Sequence, residues 1–242
     1  PELLDRVEWL DTPPDQPWRG VLLANEVVDA LAVERFKVGE DGIRRAAVTL
    51  DGDGFAWTTV DAPASLTKAA QKIADDHGLE PGYVSELCMQ LPAWLEAVTA
   101  SLQQGVALFV DYGYPRGEYY LPERSDGTLV CHYRHRAHGD PFLWPGLQDI
   151  SAFVDFTALA EAGEAAGLEL AGYTSQALFL LALGITDRLP ADAMSPGAAL
   201  GAEARRLTLP GEMGERFQVM ALSRGIDAPL SGFATRDLRH RL

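Results

Sequence analysis

Cysteine is scarce: only Cys88 and Cys131 occur in 242 residues. Two cysteines make no disulfide framework, which excludes a small cross-linked secreted scaffold and favours a reducing cytoplasm. No apolar run approaches the roughly 20 residues that a membrane helix needs, so no membrane insertion is expected. The first residues show no basic stretch followed by an apolar one, so no secretory signal is expected. Lys and Arg number 20 against 35 Asp and Glu, a formal charge of −15. Such a chain repels phosphate backbones, which excludes a nucleic-acid partner and suits a basic peptide. Internal repeats and low-complexity tracts are absent. So are a Gly-x-Ser-x-Gly elbow, a P-loop and a His-Glu-x-x-His pair. Without a visible nucleophile–base pair, an α/β hydrolase has little support. The chain opens Pro1-Glu2-Leu3-Leu4 without Met and reads as the middle of a longer sequence.

What is present suits a globular enzyme. Apolar residues make up 47% of the chain, enough for a substantial core in one large domain or a domain with an insertion. Residues 20–24 form a short apolar run, the pattern of a strand buried on both faces. Asn25 and Glu26 follow at once, and Asp29 comes one helical turn later. Residues 33–60 read as a β-meander, with turns at Gly39-Glu40-Asp41-Gly42 and Asp51-Gly52-Asp53-Gly54. Helices are predicted over 65–78 and 84–104, the second restarted at Pro92 and closed by Gly105. A second buried strand spans 106–110 and ends in Asp111-Tyr112-Gly113. Residues 114–150 show little periodicity and read as a lid-like loop. A helix over 156–166, a strand over 168–173, a helix capped by Ser175, broken helix over 185–215 and a strand over 217–222 complete the pattern.

Buried strands alternating with helices predict a mostly parallel sheet covered on both faces. Ligands bind such sheets beyond the carboxyl ends of the strands. Asn25-Glu26 and Asp111-Tyr112 occupy those places.

Six segments in order resemble one family. Gly20-Val-Leu-Leu-Ala-Asn-Glu-Val-Val-Asp-Ala-Leu31, Leu108-Phe-Val-Asp-Tyr-Gly113, Gly127-Thr-Leu-Val-Cys-His-Tyr-Arg-His135 with Asp140-Pro141, Gly146 to Phe156, Thr174-Ser-Gln176 with Phe179-Leu180, and Glu212 to Phe217 are similar to landmarks of MidA-type methyltransferases. These belong to the class I enzymes that use S-adenosylmethionine. The resemblance implies a Rossmann-like sheet in the order 3-2-1-4-5-7-6, of which residues 1–242 would be the C-terminal part. They would carry strands 4 to 7, with the meander inserted after strand 4. It also implies transfer of a methyl group to arginine of a protein partner, such as a subunit of respiratory complex I.

Three positions depart from the family. The Gly-rich loop that lets backbone approach the cofactor would lie upstream of Pro1, and no Gly-x-Gly-x-Gly follows a strand here. Ala32 replaces a customary Pro. Phe153 replaces a customary His, so no proton transfer is assigned there. With the N-terminal strands absent, 20–24 becomes an apolar edge that the meander, a second copy in a homodimer, or further residues must cover.

Guanidinium is a poor nucleophile because its charge is delocalised, and a paired carboxylate can orient it. Glu26 is the candidate for that role, with Asp149 and Asp111 as further carboxylates. Asn25, Glu26 and Asp29 are candidates for holding the cofactor. Tyr112, Gly113, Gln148 and Gln176 are candidates for holding substrate. The plainer readings are that Asn25 and Asp29 cap a helix, that Asp111 to Gly113 is a strand-ending turn, and that Asp149 and Asp155 are N-caps or loop locks. His132, His135 and His138 do not have zinc spacing, and Arg134 and Arg136 oppose a cation, so no metal is expected. Asp51 to Gly54 begins like a calcium loop, but position 62 is Ala where the closing Glu belongs. Cys88 is expected in the core. The alternative to an enzyme is a non-catalytic binding or assembly module.

Overall fold

The computed structural model describes residues 3–134, 136–190 and 199–242. At its centre strand β1 (Trp18–Asn25) lies parallel to β6 (Leu102–Tyr114), with Asn25 opposite Val110. β12 (Phe217–Arg224) runs antiparallel along the other side of β6, and β11 (Glu169–Ser175) runs antiparallel to β12. Two-residue β10 (Val154–Asp155) joins the end of β6 in parallel. The main sheet is therefore mixed, with order β1-β6-β12-β11, and not the mostly parallel sheet expected. The reason is the chain's return: β12 follows β11 back along the sheet and enters between β11 and β6.

A second sheet is wholly antiparallel. β2 (Glu34–Gly39), β3 (Gly42–Asp51) and β4 (Gly54–Asp61) follow one another, and β5 (Val84–Leu87) pairs with the free side of β2. Helix α1 (Ala64–His77) closes over it, burying Leu66, Ala70, Ile73 and Ala74 against Phe36, Val38 and Ile43. Those helix positions recur at helical spacing, the stripe that a sheet face requires. Gly78 ends α1 in the left-handed conformation, and the next residue, Leu79, donates its N–H to Ala74 O.

The predicted helix 84–104 divides. Val84–Leu87 is β5, and α2 occupies only Leu91–Thr99, with Pro92 in its first turn. Tertiary pairing with β2 overrides local propensity here. Gly105 closes no helix but lies inside β6. A Cβ there would stand 1.9 Å from Gly20 O, so the glycine serves the close approach of β1. β6 likewise runs on through Asp111, Tyr112 and Gly113, because β12 and β10 continue its ladder. The expected lid contains α3 (Arg116–Tyr119) and a three-stranded sheet of β7 (Val130–Tyr133), β8 (Arg136–His138) and β9 (Asp149–Ser151). Strands this short leave no period to read.

Helix α4 (Phe156–Ala165) is N-capped by Asp155, and α5 (Gln176–Ala182) by Ser175. α6 (Ala199–Thr208) and α7 (Met213–Arg216) precede β12. Part of the broken helix expected over 185–215, residues 191–198, lies outside the described residues. One core packs α2 and α4 on the main sheet around Leu95, Phe109, Phe156, Leu159 and Met220. The other face buries Val219, Ala221 and Phe233. On that face β1 is bare: Val21 is 68% and Leu23 66% exposed, so β1 is not buried on both faces. Cys88 and Cys131 are both unpaired; Cys131 is buried, and Cys88, between β5 and α2, is half-buried.

Candidate functional site

β1 ends in a turn and not in a helix, so neither Asn25 nor Asp29 is a helix cap. Glu26 donates its N–H to Val110 O at 2.9 Å, then takes the left-handed conformation at φ 51°. For a residue with a Cβ this costs energy and must be imposed by its surroundings. Asp111 does the imposing. Its Oδ2 accepts the N–H groups of Val28 (3.1 Å) and Asp29 (3.2 Å), and its Oδ1 accepts that of Tyr112 (3.0 Å). Asp111 is 1% exposed. Burial, and then the nearby Asp29 carboxylate, push its pKa up to about 7. Asp111 is thus buried and holds the turn from beneath.

Above the turn lies an open cavity of about 880 Å³. Glu26 and Asp29 line one side, Gln148 and Asp149 another, with Tyr112, His132 and Arg134 completing the wall. Residues far apart in sequence meet here because β6 lies beside β1, while β9 pairs with β7 and sets Asp149 opposite His132. The Tyr112 hydroxyl donates to Asp29 Oδ2. Burial first, then this bond to an anion, raises the Tyr112 pKa above its usual range. The Tyr112 ring stands edge-on to Phe153 at 5.1 Å and to Phe217 at 5.6 Å. Phe153, in place of the family's His, thereby fixes a cavity residue by packing.

Two acceptors in this wall have no partner among the described residues: Asp29 Oδ1 and Gln148 Oε1 are buried and unbonded. The Gln148 amide is held the other way round, donating to Pro141 O at 2.8 Å. Unpaired buried acceptors cost about 1–3 kcal/mol each, which an incoming N–H donor would offset. Asn25, at the strand end, donates to Glu26 Oε1 at 3.4 Å.

Three other expected residues lie elsewhere. Gly113 serves a close approach within the protein, since a Cβ there would stand 2.1 Å from Val154 O. Gln176 is buried and donates to Leu207 O at 3.1 Å, tying α5 to α6. Asp155 caps α4 through Ala158 N (3.0 Å) and pairs with Arg116 Nε (3.0 Å). Burial raises its pKa, and Arg116 opposes the rise. Conversely, His132 and Arg134, considered in the sequence only against a metal site, line the cavity. Arg134 also has a positive φ, 48°, like Glu26 across the cavity. Among the described residues no three His, Cys, Asp or Glu side chains form a group able to hold a metal ion; His135 is outside them. None of the described helices is long and apolar enough to cross a membrane.

A family model described as "Putative S-adenosyl-L-methionine-dependent methyltransferase" matches residues 1–174. Among curated proteins, the chain is similar to the mitochondrial protein arginine methyltransferase NDUFAF7 of Danio rerio, 28% identical over 234 residues, covering 89% of this chain and 50% of that protein. It is also similar to the NDUFAF7 homologue of Drosophila melanogaster, 30% identical over 141 residues, 54% of this chain and 30% of that protein. The chain thus spans at most about half the length of these relatives. Among solved structures, a COG1565 superfamily member from Burkholderia thailandensis bound to S-adenosyl-homocysteine superposes with a TM-score of 0.91 at 42% identity, covering 100% of this chain and 62% of that one. A native COG1565 protein from the same organism gives 0.90 at 42% identity, covering 98% of this chain and 64% of that one.

Proposed function

Because the chain belongs to the family of S-adenosyl-L-methionine-dependent methyltransferases whose model covers residues 1–174, we propose that its cavity receives an arginine side chain of a protein partner for methylation. The observation that carries this reading is the excess of carboxylates and open acceptors in the cavity wall over the donors of His132 and Arg134. Glu26, Asp29 and Asp149 present carboxylates to it, and Asp29 Oδ1 and Gln148 Oε1 stand unpaired. A guanidinium offers five N–H donors and a permanent charge, which answers both features. The name of the relatives, protein arginine methyltransferase, agrees. A respiratory complex subunit is the partner that the family resemblance suggests.

The order β1-β6-β12-β11 with β12 antiparallel supports reading these strands as 4-5-7-6 of a class I sheet. The bare face and unpaired edge of β1 are then where strands 1 to 3 would lie. A homodimer partner is the other candidate for that edge. Two unpaired cysteines agree with a reducing cytoplasm.

S-adenosylmethionine supplies an electrophilic methyl group when bound. The exposed Asn25 amide would fit one flank of it, its Oδ1 accepting from an amino or hydroxyl group. This chain's residues otherwise act on the acceptor. Glu26, pinned by its strained backbone, orients one edge of the guanidinium. Asp149 faces it from β9, and Tyr112 holds Asp29 in place. Alignment of this kind is worth several orders of magnitude in rate.

Calorimetric titration with S-adenosylmethionine, followed by methyl transfer to arginine peptides, tests the proposal. Micromolar cofactor binding and labelled arginine are expected. Glu26→Gln should lower transfer at least about a hundredfold while changing cofactor affinity little. Wild-type turnover in that variant would remove Glu26 from the mechanism. No cofactor binding would favour the non-catalytic binding module.

A further inference from the structure

A second cavity, of about 550 Å³, opens beside the first, and the two share Ala30, Ile150 and Ser151. One wall is the hairpin of β3 and β4. Val48 pairs with Trp57 and Leu50 with Phe55. Opposed residues, and residues two apart, project from one face of a hairpin, so these four form a single apolar strip, and all four are exposed. Phe142 faces the strip with ring centroids 5.1 Å from Trp57 and 6.3 Å from Phe55.

The charged groups in this cleft are already paired within the protein. Arg45 makes two bonds to Glu34, at 2.6 and 3.0 Å. Arg35 lies over the Trp57 ring at 4.8 Å, bonds Asp126 at 2.7 Å and stands 3.2 Å from Glu86. What the cleft presents to a ligand is therefore apolar and aromatic. Four large apolar side chains exposed side by side next to a polar site suit recognition of an apolar group. Next to it, across the shared wall, are the carboxylates of Glu26, Asp29 and Asp149.

We propose that this cleft seats a bulky apolar side chain of the protein substrate, within three residues of the acceptor arginine. The inference rests on the reading of the acceptor cavity given above. An extended peptide advances roughly 3.3–3.6 Å per residue, so one segment can fill two adjoining cavities. The enzyme then reads an apolar residue together with arginine, and a free or glycine-flanked arginine is a poor substrate.

Fluorescein-labelled nine-residue Gly/Ser peptides with a central arginine decide the matter by anisotropy titration. Phenylalanine or alanine is placed at each of the three positions on either side of the arginine. At one position or more, phenylalanine should tighten binding about tenfold over alanine. Trp57→Ala and Phe142→Ala, on opposite walls, should each abolish that gain. p-Benzoylphenylalanine at the preferred position should crosslink wild-type protein within 48–57 or at 141–142, which needs no variant to fold. A gain below about twofold at every position, a gain that survives both substitutions, or crosslinks elsewhere would overturn the proposal. Citrulline in place of arginine tests the acceptor cavity separately. Lost affinity with citrulline but no phenylalanine gain leaves that cavity's reading intact and removes this one. Undiminished affinity with citrulline removes the acceptor reading, and absence of binding by every peptide removes both.

Discussion

The carboxylate of Asp111 accepts three backbone N–H groups and so shapes a turn whose side chains point away from it. Its pKa, about 7 when folded against an ordinary aspartate value of 3.8, makes stability depend on pH. Between about pH 4 and 7 the native state keeps a proton that the unfolded state has released. The associated stability is complete below about pH 4 and is lost as pH rises through about 7. At about 1.4 kcal/mol per pKa unit, the swing is at most roughly 4 kcal/mol. Asp111→Asn removes the titration, so wild-type and variant urea midpoints should converge or cross between pH 4 and 7 and run parallel above it. Profiles parallel throughout would show that Asp111 does not titrate there. Glu26 is a different case. Its place in the cavity wall was legible from its position after an apolar strand, but its left-handed backbone was not, because φ there is set by a turn that Asp111, 85 residues away in the chain, holds in place.

At the scale of elements, the local signals held where they were chemical. Asp155 and Ser175 cap helices through their own side chains, and Gly78 ends α1. They misled where pairing partners came from afar. Val84–Leu87 looks helical, yet it is drawn into a strand by β2, burying Ser85 and Glu86. Gly105 and Gly113 look like punctuation and are contact points between strands. β1 is the element with unfinished business, since Val21 and Leu23 remain exposed along an edge that is unpaired among the described residues. Such edges associate. Sedimentation of the 242-residue chain should show concentration-dependent self-association, and Val21→Lys with Leu23→Lys should abolish it at little cost, within about 0.5 kcal/mol per site, to stability. Equal self-association in the double variant would place the contact on another surface.

For the whole molecule, the formal charge of −15 attracts a basic segment over a range set by salt. The Debye length falls from roughly 30 Å at 0.01 M to about 10 Å at 0.1 M ionic strength. Raising NaCl from about 50 to about 300 mM should therefore weaken binding of arginine peptides several-fold. The ratio between phenylalanine and alanine peptides should stay constant, because burial of an apolar side chain is not screened at these concentrations. A ratio that falls with salt would mean that the aromatic cleft acts through charge.

Composition, apolar runs and capping residues follow from local chemistry, and they were enough to place the two central strands, most of the longer helices among the described residues in outline and the polar residues at the strand ends. The family landmarks added the expected chemistry, since they are strings of residue types that need no coordinates to read. Which carboxylate faces the cavity and which supports it from below was open until the chain was folded. Glu26 and Asp111 are equally acidic on paper, and only the pairing of β1 with β6 exposes one and buries the other. Long-range strand pairing makes that choice, because it alone decides which side of each side chain meets water.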